Sequence, residues 1–230
     1  MRFHLSTLVV ATSVVVTGVL AIPLANTNEE APVSMDSSNL IPQNFTASDG
    51  ITYEIWIDAG FISHAQDVTD LDKEKRQTGP ADPPAPASRY PPVWKGKSTD
   101  QNKCRHSSFT GDTGPHAPTT GRCMAIQEWA RTNKGYWAIG WKSITPNQYR
   151  ALLSSRKSGT TQCLFGVNHS AWEVRIGNTD IYDLIRDSLA KYSRSYNGVW
   201  RVRSWGSADC DGDLVQNGSA ELKWWLSERF

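Results

Sequence analysis

The sequence predicts an α+β fold: a mostly antiparallel sheet of about five strands with two to three helices packed on one face, stapled by disulfides. Three observations predict it. Some short apolar runs alternate with period two, others repeat at helical spacing, and four cysteines lie between residues 104 and 210 of the 230-residue chain. Along residues 104–230 the patterns follow the order α-β-α-β-β-α-β-β, which favours one sheet covered by helices on a single side.

The first 21 residues are predicted to be a secretory signal peptide. An apolar run from Leu8 to Leu20 follows a short polar start, and Ala21 fits the last position before a cleavage site. This run is shorter than the roughly 20 residues that a membrane-spanning helix needs, so a membrane anchor is the weaker alternative. We therefore expect a secreted, extracellular protein.

Residues 22–76 are predicted to be an acidic pro-segment. They hold ten Asp or Glu and three Lys or Arg, a net charge of −7, whereas 77–230 hold 20 basic and 13 acidic residues, a net charge of +7. The segment ends in Lys75 and Arg76, the dibasic pair after which kexin-type proteases cut, although an ordinary surface pair is the alternative. We expect it to mask the basic domain, with the alternating run 51–57 adding an edge strand.

A change of composition then separates a linker from the main domain. Residues 77–103 are rich in proline, which favours extended conformations and cannot build a core, so this stretch is predicted to be a disordered linker. Residues 104–230 are predicted to form the folded domain.

The first half of this domain is predicted to contain a helix, a strand and a second helix. Residues 119–130 place apolar side chains at helical spacing, and residues 136–141 alternate as in a strand. A capping-box pattern at 145–148 predicts that the second helix begins there and buries Tyr149, Leu152 and Leu153.

The second half is predicted to contain a hairpin, a long helix and two strands. Residues 162–168 and 171–176 are interpreted as the two arms of the hairpin. The apolar spacing after Asn178 predicts the longest helix, with Asn197 and Gly198 as its end. Strands at 199–205 and 221–227 follow.

The four cysteines predict two disulfides. An even number of cysteines in an exported chain favours disulfides, and no Cys-x-x-Cys or His-x-x-x-His spacing predicts a zinc site. We therefore expect neither a metal nor a cofactor. Of the three pairings that four cysteines allow, we favour Cys123–Cys163, from a helix to a strand, together with Cys104–Cys210.

Three Asn-x-Ser/Thr sequons fit the secretory route. They begin at Asn44, Asn168 and Asn217, and each predicts a surface position that is a candidate for glycosylation.

A dispersed, cysteine-anchored pattern runs through residues 104–228. It comprises the four cysteines with 107–109, 164–166, 176–181, Trp205–Gly206 and the closing 224–226. In this order and spacing the stretch resembles the fungal secreted effectors of the extracellular-protein-two type, whose domain is named a putative necrosis-inducing factor. The resemblance implies a toxin-like virulence protein that provokes necrosis or defence in a plant host, or acts on competing microbes. The family has no agreed catalytic residues to carry over.

The ten tryptophans are the first candidates for a functional surface. Core packing is the ordinary role of such residues. Trp224 and Trp225, however, are neighbours in a predicted strand and must face opposite ways, so one of them is expected in an outer patch. We therefore name Trp225 and Trp205 as binding candidates, together with the alternating Arg201 and Arg203 for an anionic partner.

Two other groups of polar residues have a possible functional interpretation and a simpler one. His169, Glu173 and Arg175 share a parity across the predicted hairpin and could cleave RNA, although a solvated charge pair beside a turn histidine is the better interpretation. The Asp209–Asp213 run starts like a calcium loop, but Leu214 stands where the loop requires glycine.

The leading hypothesis is a non-enzymatic secreted effector, expected to be a monomer, that binds a protein or glycan of a host or competitor. Nucleic acid is not the expected partner. The alternatives are a secreted ribonuclease that uses His169, Glu173 and Arg175, and a carbohydrate-binding module with a tryptophan face.

Overall fold

One curled, mostly antiparallel sheet dominates the structure, a computed structural model that describes residues 35–61, 93–96, 101–144, 148–156, 162–213 and 218–228. The sheet contains twelve strands: β1 (Met35–Asp36), β2 (Leu40–Thr46), β3 (Thr52–Asp58), β4 (Val93–Gly96), β5 (Cys104–Ser107), β6 (Thr110–Gly111), β7 (Gly135–Gly140), β8 (Tyr149–Arg156), β9 (Cys163–His169), β10 (Glu173–Gly177), β13 (Ser204–Asp213) and β14 (Ser219–Ser227). A separate hairpin contains β11 (Arg194–Tyr196) and β12 (Val199–Arg201). Two complete helices lie in the described ranges, α1 (Thr120–Thr132) and α2 (Asn178–Tyr192), together with a 3-10 turn at Trp141–Ser143 and helical backbone at residues 59–61.

The main path of the sheet runs β2-β3-β8-β9-β14-β13-β10-β7-β4. Two long central strands, β13 and β8, each pair with several partners along one edge. β13 pairs with β14 on one side and with β5, β6 and β10 in succession on the other. β8 pairs with β9 on one side, and with β3 and the parallel strand β1 on the other. Chain segments far apart in sequence therefore meet in one sheet.

The predicted sheet of about five strands with helices on one face is wrong. The structure has twelve strands in the sheet; α1 packs against α2 and contacts β8, β9 and β3, whereas α2 contacts β10. The estimate was low because β1 to β4 lie in the stretches interpreted as pro-segment and linker. The expected strand at 51–57 is present as β3, but it lies inside the sheet between β2 and β8.

The predicted second helix is also wrong. The residues that were expected to form its buried stripe belong to β8, and residues 145–147 lie outside the described ranges. β8 is buried on both faces from Arg150 to Ser155. A strand buried on both faces loses the alternation that identifies a strand, and its apolar run then resembles a helix.

The hairpin predicted at 162–176 does not form. β9 pairs with β8 and β14, whereas β10 pairs with β7 and β13, so two strands separate them along the sheet. The hairpin in this half is instead β11–β12, where Asn197 and Gly198 adopt φ values of 52° and 77°. An Asn-Gly pair with positive φ at both positions suits a tight two-residue hairpin turn. The long helix therefore ends earlier than predicted, at Tyr192.

Two disulfides tie the sheet together. Cys104–Cys210 joins β5 to β13, and Cys123–Cys163 joins α1 to β9, which are the two pairs that the sequence analysis favoured. The second bridge lies in the main hydrophobic core, formed by residues of both helices and of the strands around them. That core includes Ile126, Trp137 and Trp224, all fully buried.

Candidate binding surface

Two exposed indole rings lie side by side where β7 ends and β10 begins. Trp141 is 45% exposed and Trp172 is 59% exposed, and their ring centroids are 5.4 Å apart with the planes tilted by 37°. The backbone N–H of Trp141 donates to the carbonyl oxygen of Trp172 over 2.8 Å. This bond lies one step beyond the Gly140–Glu173 pair of the β7–β10 ladder, so the sheet itself fixes the spacing of the two rings. We call Trp141 and Trp172 the indole pair.

Charged side chains surround the indole pair. The ammonium of Lys142 lies 5.5 Å from the ring centroid of Trp141, which is a cation–π distance. Next to Trp172, Glu173 accepts from the guanidinium of Arg175 over 3.0 Å, and both side chains are half-buried. The surface therefore combines two large apolar rings with a cation, a mixture that protein and glycan ligands meet at binding sites, and an ion pair follows in the sequence.

The tryptophans first named as binding candidates are buried. Trp224 and Trp225 face opposite sides of β14 as expected, but they are 0% and 1% exposed because β14 runs between β9 and β13. Phe109 covers Trp224 with a centroid separation of 5.1 Å, and Tyr149 covers Trp225 at 5.7 Å. Trp205, opposite Trp225 in the ladder, is 6% exposed. This corrects the expected outer patch, because both faces of this part of the sheet are covered.

The two arginine candidates hold a loop in place. Arg201 donates from Nη1 to the carbonyl oxygen of Ala117 over 2.6 Å. Arg203 donates from Nη2 to the carboxylate of Asp112 over 2.7 Å and from Nε to the Asp112 carbonyl oxygen over 2.8 Å. Their side chains are half-buried, and these bonds fasten residues 112–117 to the end of the β11–β12 hairpin. The exposed indole of this hairpin is Trp200, at 57%.

The residues named for the ribonuclease alternative lie in different surroundings. His169 is buried at the end of β9, and its Nδ1 lies 3.1 Å from the carbonyl oxygen of Ala171. Burial lowers the pKa of His169, which favours the neutral ring and weakens it as a proton donor. Glu173 is in β10 and is already paired with Arg175. Nothing in this arrangement supports the ribonuclease alternative.

The acidic run 209–213 belongs to β13 and does not form a loop. Asp209 accepts a hydrogen bond from the hydroxyl of Ser219, and the Asp211 carboxylate lies 3.7 Å from the Lys103 ammonium. Within the described ranges, no cluster of three or more His, Cys, Asp or Glu side chains has the geometry of a metal site.

A buried carboxylate organises the start of the domain. Oδ2 of Asp180 accepts hydrogen bonds from the backbone N–H groups of Lys103, Cys104 and Gly177, at 2.7 to 3.2 Å. Burial raises the pKa of Asp180 to about 6, although the three N–H donors act in the opposite direction. A Cβ on Gly177 would collide with the carbonyl oxygen of Gln101, so this glycine lets the 101–104 segment cross the start of α2.

Only some of the predicted glycosylation and processing residues lie in the parts of the chain that the structure describes. Asn44 is exposed on β2, whereas Asn168 is half-buried and donates its Nδ2 to the Gln148 carbonyl oxygen over 2.6 Å. Asn217 lies outside the described residues, as do Ala21, Lys75 and Arg76. None of the helices in the described ranges combines the length and apolar composition that crossing a bilayer requires.

Sequence reasoning missed the indole pair. Trp141 was placed at the end of the strand predicted at 136–141, but β7 ends at Gly140 and the chain turns there. Trp172 was placed in the second arm of a hairpin that does not form. No local sequence signal marked the pair, because only the β7–β10 pairing brings the two residues together.

One comparison with known proteins finds a family match that includes this surface. Residues 103–210 match the Hce2 family model, described as "Pathogen effector; putative necrosis-inducing factor". No curated protein matches the chain. The matched region runs from β5 to the half-cystine of β13 and includes both disulfides, both helices and the indole pair. The match, which covers a little under half of the chain, supports a role as a pathogen effector.

Proposed function

We propose that this protein is a secreted fungal effector that acts by binding a component of a host or of a competing microbe, without catalysing a reaction. The observation that carries the proposal is the indole pair, which lies exposed on a disulfide-linked frame inside the effector domain. Contact with this component is proposed to provoke necrosis or defence.

The indole pair has the physical properties of a binding hot spot. Tryptophan buries a large area when a partner covers it, and single large residues of this kind dominate the energetics of many interfaces. Exposed hydrophobic residues are common when they are isolated, but two neighbouring rings form a continuous patch. The backbone bond between Trp141 and Trp172 fixes them before binding, so little conformational freedom is lost on contact.

Export is part of the same proposal. The signal peptide at 1–21 would deliver the chain to the oxidising secretory route, where Cys104–Cys210 and Cys123–Cys163 are stable. On that route Asn44 is the sequon that we favour for a glycan, because its side chain is exposed. In Asn168 the nitrogen that would carry the sugar is engaged by Gln148.

Infiltration of the purified full chain into leaves, with growth assays on competing microbes, tests the proposal. The double variant W141A/W172A should lose the response, because it removes the indole pair and leaves the core intact. The matched control is W200A, which removes an indole of similar exposure from β12 and should retain the response. A double variant that is as active as the parent chain, or equal losses in both variants, would contradict the proposal.

A binding measurement separates binding from turnover. The parent chain should bind saturably to cell-wall or membrane fractions of the responding tissue, and W141A/W172A should bind at least about tenfold more weakly, a change of about 1.4 kcal/mol. Loss of the tissue response without loss of binding would point to chemistry after binding and would count against a purely binding role.

A further inference from the structure

We propose that residues 35–61 are a permanent part of the sheet, and that they stay bound to the rest of the protein after the chain is cut between Phe61 and Val93. The mature protein would then contain two chains without a covalent link between them. We call residues 35–61 the clamp segment. The inference does not depend on the proposed function.

The clamp segment completes the free edge of β8. Residues Glu54–Ile57 of β3 pair antiparallel with Leu153–Arg156, and the short strand β1 pairs in parallel with Tyr149 and Arg150. Without these partners, β8 would present a row of unpaired backbone N–H and C=O groups. The edge of β8 is therefore a strand-binding site, and its occupant is a named segment of the same chain.

The clamp segment contributes apolar side chains to the clusters on both faces of the sheet at β8. On one face, Ile55 and Ile57 are fully buried in the main core. On the other face, Leu40 is buried in a second apolar cluster, packed together with Ala151, Leu164, Met35 and Trp56. The strand is held on two faces as well as along its edge. It therefore cannot separate from the sheet without exposing apolar surface to water.

An aromatic cluster anchors the end of the clamp segment. The ring of Phe61 lies 5.0 Å from that of Trp94, 5.2 Å from Trp129 and 6.2 Å from Trp137, measured between centroids. These three tryptophans come from β4, α1 and β7 and are almost completely buried. Departure of the segment would leave a void at the centre of this cluster.

At one glycine, strand β9 leaves space for a side chain of the clamp segment. A Cβ built on Gly166 would lie 2.7 Å from Cε of Met35, so the side chain of Met35 packs directly against the backbone of β9 at this glycine. Gly166 is also opposite Trp225 in the β9–β14 ladder. The side chain missing from β9 is thus replaced by a side chain from the clamp segment.

Charge complementarity reinforces the contact. The guanidinium of Arg150 donates to Asp58 over 2.8 and 3.0 Å, and both side chains are buried. Arg156 lies 5.1 Å from the ring centroid of Trp56, and Arg122 lies 6.0 Å from that of Tyr53. Release would leave Arg150 buried without its counter-ion, which proteins tolerate poorly.

Cleavage would leave only these non-covalent contacts. All four cysteines lie between residues 104 and 210, and both disulfides form within that region. The dibasic pair Lys75–Arg76 lies between the clamp segment and β4. A cut after Arg76 would therefore separate the two chains under denaturing conditions but not under native ones.

The test is to cut the purified full chain with a kexin-type protease and to compare native size-exclusion chromatography with a denaturing gel. If the natural bond resists, a specific protease site inserted after Arg76 supplies the cut. We expect the gel to show two chains and the native column to show one peak that contains both, also in 1 M salt. Elution of the smaller chain away from the larger one would overturn the proposal.

A pair of variants sharpens the result. Ile57→Asp places a charge in the core-facing position of β3, whereas the control Ile51→Asp changes a residue of the same segment that is 51% exposed. After cutting, the smaller chain should be released from I57D and retained by I51D. Release from I51D and I57D alike would overturn the proposal, as would retention by both. If I57D does not fold before cutting, the parent chain and I51D still decide the outcome.

Discussion

The clamp segment and the disulfide-linked region 104–210 belong to the same sheet but are held in it by different means. The linked region has two covalent cross-links, one from β5 to β13 and one from α1 to β9. The clamp segment has none, and depends on strand pairing, apolar contacts on both faces of β8 and one buried ion pair. The difference teaches that composition alone is a poor guide to domain boundaries, because an acidic stretch without cysteines supplies core residues here.

The largest effect is expected from breaking the buried ion pair of the clamp segment. Asp58→Asn removes the counter-ion of Arg150, and loss of one partner of a buried pair costs about 3–5 kcal/mol. The control Asp49→Asn changes an exposed turn residue and should stay within about 0.5 kcal/mol. Urea unfolding measures both. Equal unfolding free energies for D58N and the parent chain would show that the pair does not hold the segment.

Removal of the cross-links tests the other region. Loss of either disulfide should lower the free energy of unfolding by about 2–4 kcal/mol, because each cross-link restricts the unfolded chain. Cys104–Cys210 closes a separation of 106 residues and Cys123–Cys163 one of 40, so the C104A/C210A variant should lose the most. Denaturant unfolding of the two double variants makes the comparison. The reverse order would indicate that local packing, and not loop length, sets the cost.

The free energy of unfolding should vary with pH because of Asp180, which lies in the disulfide-linked region. Its folded-state pKa of about 6 lies above the ordinary aspartate value of 3.8, so its stabilising contribution is fully present below pH 3.8 and is lost as the pH rises through 6. The change should be smaller than the roughly 3 kcal/mol that two pKa units represent. Unfolding of the parent chain and D180N between pH 4 and 7 measures it. A parallel pH profile for D180N would refute this role.

The smallest of these effects concerns the aromatic anchor of the clamp segment. Phe61→Ala should lower the free energy of unfolding by about 2 kcal/mol, less than for a fully buried phenylalanine, because the ring is only partly buried. Ile51→Ala, at an exposed position of the same segment, should change it by no more than about 0.5 kcal/mol. Thermal and urea unfolding give both values, and equal losses would mean that the cluster around Trp94 closes without Phe61.

Sequence reasoning succeeded where the signal was local. The spacing of apolar residues located α1, α2 and strand β3 of the clamp segment. The cysteine count led to the two disulfides. It failed where burial on both faces removed the periodicity, as in β8, and where pairing joins distant segments, as in β10 with β7. The exposed indole pair could not be found because its two rings meet only through that pairing.

The short strands that pair with β13 also could not be recognised from the sequence. β5, β6 and β10 occupy one edge of β13 in succession, and the first two are short strands of four and two residues. Strands this short carry too little sequence for a pattern to be recognised. Their positions are determined by contacts with a distant strand and by the Cys104–Cys210 bridge.

Hydrogen exchange of the intact protein tests most directly whether the clamp segment is integral to the sheet. An isolated two-stranded hairpin is marginally stable in water, so β2 and β3 alone would protect their amides weakly. If β3 is held against β8, the backbone amides of Thr52–Asp58 should exchange about as slowly as those of β13 and β14. Exchange of the β3 amides at the rate of an unfolded chain, while β13 and β14 stay protected, would contradict the account.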